Sequence, residues 1–179
     1  VDSRLRLDFL PGSVAIGHTR WATHGAPSDN NAHPHTDCGS RVAVVHNGII
    51  ENYLELKKRL VSEGHVFTSE TDTEVLAHLI EEGLDKGLRG LEALRYAIRQ
   101  VEGSYAVAVI MAGEEGKIFF ARRLSPLVIG LGKGANYVAS DIPAFLEYTR
   151  RVIVVQDGEI GYVTPTQVHI EKLDGTAVD

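Results

Sequence analysis

The chain has 179 residues, 44% of them hydrophobic and 23% charged, with a formal net charge of −6. That length fits one domain burying roughly 70% of the surface its unfolded form exposes, and charges spread without a basic stripe or an acidic run speak against nucleic acid and for small polar ligands. The single cysteine, Cys38, excludes an intrachain disulfide framework and a CxxC pair, while no segment approaches the ~20 apolar residues of a membrane helix and no signal pattern opens the chain, so a soluble, cytoplasmic protein without membrane contact is expected.

Val14-Ala15-Ile16-Gly17 reads as a short buried strand leading into an Arg-Trp loop. Residues 25 to 40 are rich in Gly, Pro, Ser, Asp and Asn, which marks a long loop, and such loops in compact domains are commonly functional. Arg41 to His46 forms a second strand ended by Asn47-Gly48. Three apolar sets then recur at helical spacing: Tyr53, Leu56, Leu60 and Val61; Val75, Leu76, Leu79 and Ile80; Leu91, Leu94, Ile98 and Val101. After Gly103 the pattern changes to short apolar runs at 105–112, 117–121, 127–131, 136–139, 152–155, 160–163 and 167–173, divided by turn residues as antiparallel strands require. Because strands and helices are grouped rather than alternating, the expected class is α+β. No repeat or linker breaks the chain, so residues 1–179 are read as one domain.

Three segments carry chemistry: Gly17-His18-Thr19-Arg20-Trp21-Ala22-Thr23-His24-Gly25, His46-Asn47-Gly48, and Ser69-Glu70-Thr71-Asp72-Thr73-Glu74. Together they hold parts for an amino acid. An arginine fork matches an α-carboxylate, an aspartate pairs with an α-ammonium, and an Asn amide beside a Gly N–H can donate two hydrogen bonds to a developing oxyanion. A nucleophile is missing from the set. Local readings compete with each assignment. Asn-Gly is also the commonest hairpin turn signal, and a tight turn would itself project the amide and the next N–H to one side. Thr71-Asp72-Thr73-Glu74 fits a capping box with Thr71 as the cap, which would leave the Asp72 carboxylate free. His18, His24, His33, His35 and His46 invite a metal hypothesis, but their spacing forms no HExxH and His33-Pro34-His35 supplies only two ligands, so no metal and no cofactor are expected. Cys38 is read as an incidental loop thiol, since an internal cysteine lacks the α-amine that serves an N-terminal one as base.

With Asn31-Ala32-His33-Pro34-His35, the continuation Ile49-Ile50-Glu51-Asn52-Tyr53, Ser125 to Gly130 and Ala139-Ser140-Asp141, these segments resemble the class II glutamine amidotransferases, most closely the glutaminase domain of the glucosamine-6-phosphate synthase type. The likeness runs from about Gly12 onward. It implies the four-layer αββα sandwich of N-terminal nucleophile hydrolases, lacking here its N-terminal segment. It implies hydrolysis of L-glutamine to glutamate and ammonia by an N-terminal cysteine, with the ammonia passed to an attached sugar-phosphate isomerase domain that makes glucosamine 6-phosphate from fructose 6-phosphate.

Residue by residue, the resemblance assigns Asn47 and Gly48 to the oxyanion hole, Arg20 and Thr23 to the substrate carboxylate, and Asp72 to its α-ammonium. His24 would shape the loop, and Trp21 would gate it between Gly17 and Gly25 as hinges. The chain opens on Val1 with no cysteine there, so the 179 residues alone are expected to be inactive and the parent protein to be a homo-oligomer. Alternatives from other classes are a glutamine-binding module without turnover, and the glutaminase domain of another synthase such as amidophosphoribosyltransferase.

Overall fold

The computed structural model describes residues 12–20 and 24–178. Among these, the three helical periodicities become α1 (Tyr53–Ser62), α2 (Glu74–Asp85) and α3 (Gly90–Ile98). All seven downstream apolar runs become strands: β3 (Gly103–Met111), β4 (Ile118–Arg123), β5 (Val128–Leu131), β6 (Asn136–Ala139), β7 (Val152–Val154), β8 (Glu159–Val163) and β9 (Val168–Lys172). Upstream lie β1 (His35–Thr36) and β2 (Val42–Ile50).

The strands form two antiparallel sheets, a six-stranded one in the order β1-β2-β3-β4-β8-β9 and a three-stranded one in the order β6-β5-β7. Strand pleating decides which layer each side chain joins. On β3 and β4, Tyr105, Val107, Val109, Met111, Phe119 and Ala121 pack with the three helices. Their alternates Ala106 and Phe120 meet Leu127, Ile129 and Val155 of the smaller sheet and its flanks. Central strands with both faces covered read as continuous apolar runs instead of alternating ones, which is why Ala106 to Met111 contains no polar residue. The layer order is helices, large sheet, small sheet. Beyond the small sheet lie the 3₁₀ turn Ile142–Ala144 and Phe145, whose ring sits over Gly130 and is 1% exposed. No helix among the described residues is long and apolar enough to cross a membrane.

Three local expectations are corrected. Val14 to Gly17 is irregular, pairing with no strand among the described residues, and Ala15 and Gly17 are exposed. Asn47-Gly48 neither ends a strand nor forms a hairpin turn: β2 runs through to Ile50, with Asn47 opposite Ala106 and Gly48 opposite Tyr105. The capping box does not form. Helix α2 starts after Thr73, which makes no side-chain cap bond, and the Glu74 carboxylate instead accepts from the Thr68 and Ser69 N–H groups, both at 2.7 Å.

Candidate functional site

Strand β2 carries His46, Asn47 and Gly48 into a cleft of about 190 Å³, whose other walls are His18, Thr19, Arg20, His33, Thr71, Asp72 and Thr73. Gly48 is there by necessity. Its φ is +126°, and a Cβ would lie 2.1 Å from the Ser104 carbonyl oxygen on β3, so only glycine lets the paired strands keep this approach.

Pleating places the Asn47 side chain on the face opposite His46, where Asn47 Oδ1 lies 2.5 Å from His18 Nε2. A carbonyl oxygen only accepts, so His18 Nε2 carries the proton, and the Asn47 Nδ2 donors are turned the other way. His18 itself stacks on His33 with ring centroids 4.3 Å apart.

Behind Gly48 runs a network whose proton positions are mutually consistent. The His46 backbone N–H donates to His33 Nδ1 at 3.2 Å, leaving the His33 proton on Nε2, which faces Thr73 Oγ1 at 3.4 Å. That hydroxyl lies 2.9 Å from His46 Nδ1 and donates to it, while His46 Nε2 donates to the Ser104 carbonyl at 3.3 Å. Each ring uses one nitrogen as donor and one as acceptor, which requires both to be neutral. Burial, aided by the Arg20 charge, pushes His33 down to about 3. Burial also lowers His46, against the opposing pull of Asp72.

Asp72 precedes α2 and is 3% exposed. One carboxylate oxygen, Oδ2, accepts the Ile50 N–H of β2 at 2.8 Å; the other, Oδ1, lies 3.8 Å from His24 Nδ1. Asp72 therefore locks the end of β2 with one oxygen and keeps the second for the cleft side. Arg20 is no free surface charge. Its guanidinium donates to the carbonyls of His24, Gly25 (2.9 Å) and Ala26 (3.4 Å), curling the loop around itself.

The same loop is tied to the Asp72 segment by Asn31, whose Nδ2 donates to the Ala26 carbonyl at 2.9 Å and whose Oδ1 accepts the Glu70 N–H at 2.9 Å. Thr71, expected as a cap, lies 3.0 Å from His35 Nε2 instead.

The structure thus brings Arg20, Asn47, Gly48 and Asp72 to one cleft and sets His24 beside Asp72. Trp21 and Thr23, and with them the gating expectation, lie outside the described residues. Sequence reasoning named His18, Asn31 and Thr73 without giving them the roles they have here. Each acts on a residue 27 or more positions away, as His18 does on Asn47 and Thr73 on His46, so no local pattern marks it. A larger cleft of about 240 Å³, lined by residues such as Ser13, Asn136, Tyr137 and Thr164, holds no charged side chain.

Residues 18–147 match the family described as "Glutamine amidotransferase domain". The chain is 54% identical to the glutamine–fructose-6-phosphate aminotransferase (isomerizing) of Sulfolobus acidocaldarius, over 100% of this chain and 30% of that protein. To the protein of the same name from Pyrobaculum aerophilum it is 56% identical, over 100% of this chain and 30% of that one. To that of Aeropyrum pernix it is 58% identical, over 93% and 27%. The chain spans no more than 30% of the length of these relatives. Among solved structures it is similar to the glutamine phosphoribosylpyrophosphate amidotransferase of B. subtilis, with a TM-score of 0.72 and 28% identity over 89% of this chain and 35% of that one. A structure described as the allosteric regulatory enzyme of purine biosynthesis gives a TM-score of 0.71 and 30% identity over 87% and 34%.

Proposed function

The chain belongs to the class II glutamine amidotransferases and has the α+β sandwich of the N-terminal nucleophile hydrolases, and from that membership we propose that it is the glutaminase domain of an enzyme making glucosamine 6-phosphate from fructose 6-phosphate and L-glutamine. The observation that carries the proposal is that one cleft is lined by both a charge pair, Arg20 and Asp72, and a neutral donor pair, Asn47 and Gly48. Glutamine has the matching pattern, a zwitterionic end and an amide end.

In this reading Arg20 takes the α-carboxylate and Asp72 Oδ1 the α-ammonium, with His24 shaping the loop and Thr23 adding a hydroxyl to the carboxylate site. The side-chain carbonyl oxygen then faces Asn47 Nδ2 and the Gly48 N–H. A thiol adds to the amide carbon, and the oxygen that gains the electron pair is the one those two donors stabilise. The C–N bond breaks as ammonia leaves with the thiol's proton, and water hydrolyses the thioester to glutamate. His18 contributes by holding the Asn47 amide in its donating orientation. The neutral His33–Thr73–His46 network anchors the β2 backbone just before Asn47 and Gly48.

Cys38 does not line the cleft, so in this reading the attacking thiol is that of the family's N-terminal cysteine. The ammonia acceptor is a sugar-phosphate isomerase domain of the parent protein. A cytoplasmic setting fits a chain whose one cysteine forms no disulfide.

The rival reading, a glutaminase for phosphoribosyl chemistry, draws on the two solved structures, at 28% and 30% identity against 54% to 58% for the aminotransferases. Incubating the full-length parent with glutamine and either fructose 6-phosphate or phosphoribosyl pyrophosphate separates them. Glucosamine 6-phosphate and glutamate formed in equal amounts support the proposal; phosphoribosylamine formation, or no product with either acceptor, overturns it.

A further inference from the structure

Outside the cleft, three segments distant in sequence bring four metal-ligating side chains together. Cys38 lies in the β1–β2 loop, His65 in the α1–α2 connection, and His78 and Glu81 on α2. One ligand atom from each lies within 4.8 Å of all the others. His78 and Glu81 are three residues apart and so share a helix face, and they are 1% and 5% exposed. His78 Nδ1 stands 3.7 Å from Cys38 Sγ and 3.0 Å from Glu81 Oε2, and His65 Nδ1 stands 2.7 Å from the same carboxylate oxygen.

We propose that Cys38, His65, His78 and Glu81 form a structural site for a divalent cation of the zinc class, tying the β1–β2 loop and the α1–α2 connection onto α2. The donor set is one sulfur, two imidazole nitrogens and one carboxylate oxygen, a mixture suited to a tetrahedral borderline-soft ion. Ligand atoms around such an ion lie roughly 3.3 to 3.6 Å apart, from bond lengths of about 2.0 to 2.3 Å. Three of the six separations, at 2.7, 3.0 and 3.7 Å, bracket that spacing and the others stay within 4.8 Å; the two shortest are His–Glu hydrogen bonds that an ion replaces. A thiolate and a carboxylate beside two neutral rings carry a charge of −2, which the ion balances.

The surroundings orient the donors as outer groups do around metals. The Val66 N–H donates to Cys38 Sγ at 3.3 Å, Arg41 Nη2 takes the other Glu81 oxygen at 3.6 Å, and His78 Nε2 faces Glu74 Oε1 at 3.7 Å, which turns Nδ1 inward. Among the described residues no other group of His, Cys, Asp and Glu side chains converges in this way, and His33 and His46 by the cleft spend their ring nitrogens on the His46 N–H, Thr73 and Ser104. Cysteine ligates as the thiolate, so ion binding releases the thiol proton. Spacing along the chain hid this set, because no two of its members except His78 and Glu81 are near in sequence.

The test uses the full-length parent protein, stripped with a chelator and titrated with Co²⁺. One equivalent per chain with tetrahedral cobalt bands and a sulfur-to-cobalt charge-transfer band, bleached by one equivalent of Zn²⁺, is expected. Cys38→Ser should lose the charge-transfer band, and both it and the milder, partly exposed His65→Ala should weaken binding at least 10-fold. Absence of stoichiometric binding, or bands and affinity unchanged in both variants, overturns the site and leaves a hydrogen-bonded cluster only. Glutamine turnover plays no part in the readout, so failure of the glutaminase assignment and failure of this site are distinguishable.

Discussion

Asp72→Asn separates the two jobs that the Asp72 geometry combines. The substitution keeps size and shape, and the amide oxygen can still accept the Ile50 N–H that Oδ2 now receives at 2.8 Å. A hydrogen bond to a charged group contributes about 1.5 to 3 kcal/mol and a neutral one about 0.5 to 1.5, so the fold should lose only about 1 kcal/mol. For a domain of this size that is a melting shift of roughly 2 to 4 °C. The other end of the amide, however, presents N–H donors where Oδ1 faced the cleft, and donors repel an α-ammonium. Losing that charge partner in a water-accessible cleft should cost about 2 to 4 kcal/mol of binding, or a dissociation constant raised about 30- to 900-fold. Asp72→Ala should weaken binding as much and also strand the Ile50 N–H, whose residue is 0% exposed, for a further loss of about 1 to 3 kcal/mol in stability. Calorimetric titration of the full-length parent with glutamate, the product, together with thermal unfolding of each variant, reads both quantities. If Asp72→Asn binds glutamate as the wild type does, Asp72 is only a brace for β2 and the ammonium assignment is wrong.

Asn47→Ala should lower turnover of the full-length enzyme by about 10² to 10³ with little change in KM, since one oxyanion donor is worth about 2.7 to 4 kcal/mol; a raised KM with unchanged turnover would make Asn47 a ground-state contact. Gly48→Ala forces a Cβ to within 2.1 Å of the Ser104 oxygen at a φ of +126°, and strain plus strand displacement should cost about 2 to 5 kcal/mol in urea unfolding; wild-type stability would show that β2 and β3 are not held as described. Arg20→Ala should abolish the preference for ligands with a free α-carboxylate while sparing the preference for a free α-amine, and titration with the two blocked glutamate analogues checks it. His33, near 6.5 unfolded and about 3 folded, binds fewer protons in the folded state between those values. Stability should therefore fall as pH drops below 6.5, by at most about 1.4 kcal/mol per unit from this half-buried group. His33→Asn, which keeps an acceptor for the His46 N–H, should flatten the fall between pH 6.5 and 4.5, and parallel wild-type and variant curves would contradict the neutral network.

Periodicity was enough for the elements whose partners lie all along one face. The stripes of α1, α2 and α3 and the apolar runs from Gly103 onward could bury themselves in one way only, and they appear where the pattern puts them. Arg20, Asn47 and Asp72 were legible as chemistry because their residue types suit an amino acid, but nothing local showed that they share a cleft. The misreadings have one physical origin: a backbone group takes whichever partner the fold brings nearest. At Asn47-Gly48 that partner is β3, which carries the strand past a local turn signal, and Gly48 answers the Ser104 carbonyl on that neighbour instead of a turn. At Thr71 and Glu74 the capping groups were claimed by His35 and by the Thr68 and Ser69 amides before they could cap α2. Val14 to Gly17 had the apolar composition of a strand, yet among the described residues it forms no strand. Composition and spacing marked the helical segments, most of the extended ones and the residue types that suit an amino acid, and the family resemblance named that amino acid as glutamine. Only tertiary pairing decided that His18 turns the Asn47 amide, that Asp72 divides its two oxygens between β2 and the cleft, and that Cys38 meets His78, because hydrogen bonds and ion pairs depend on distance in space.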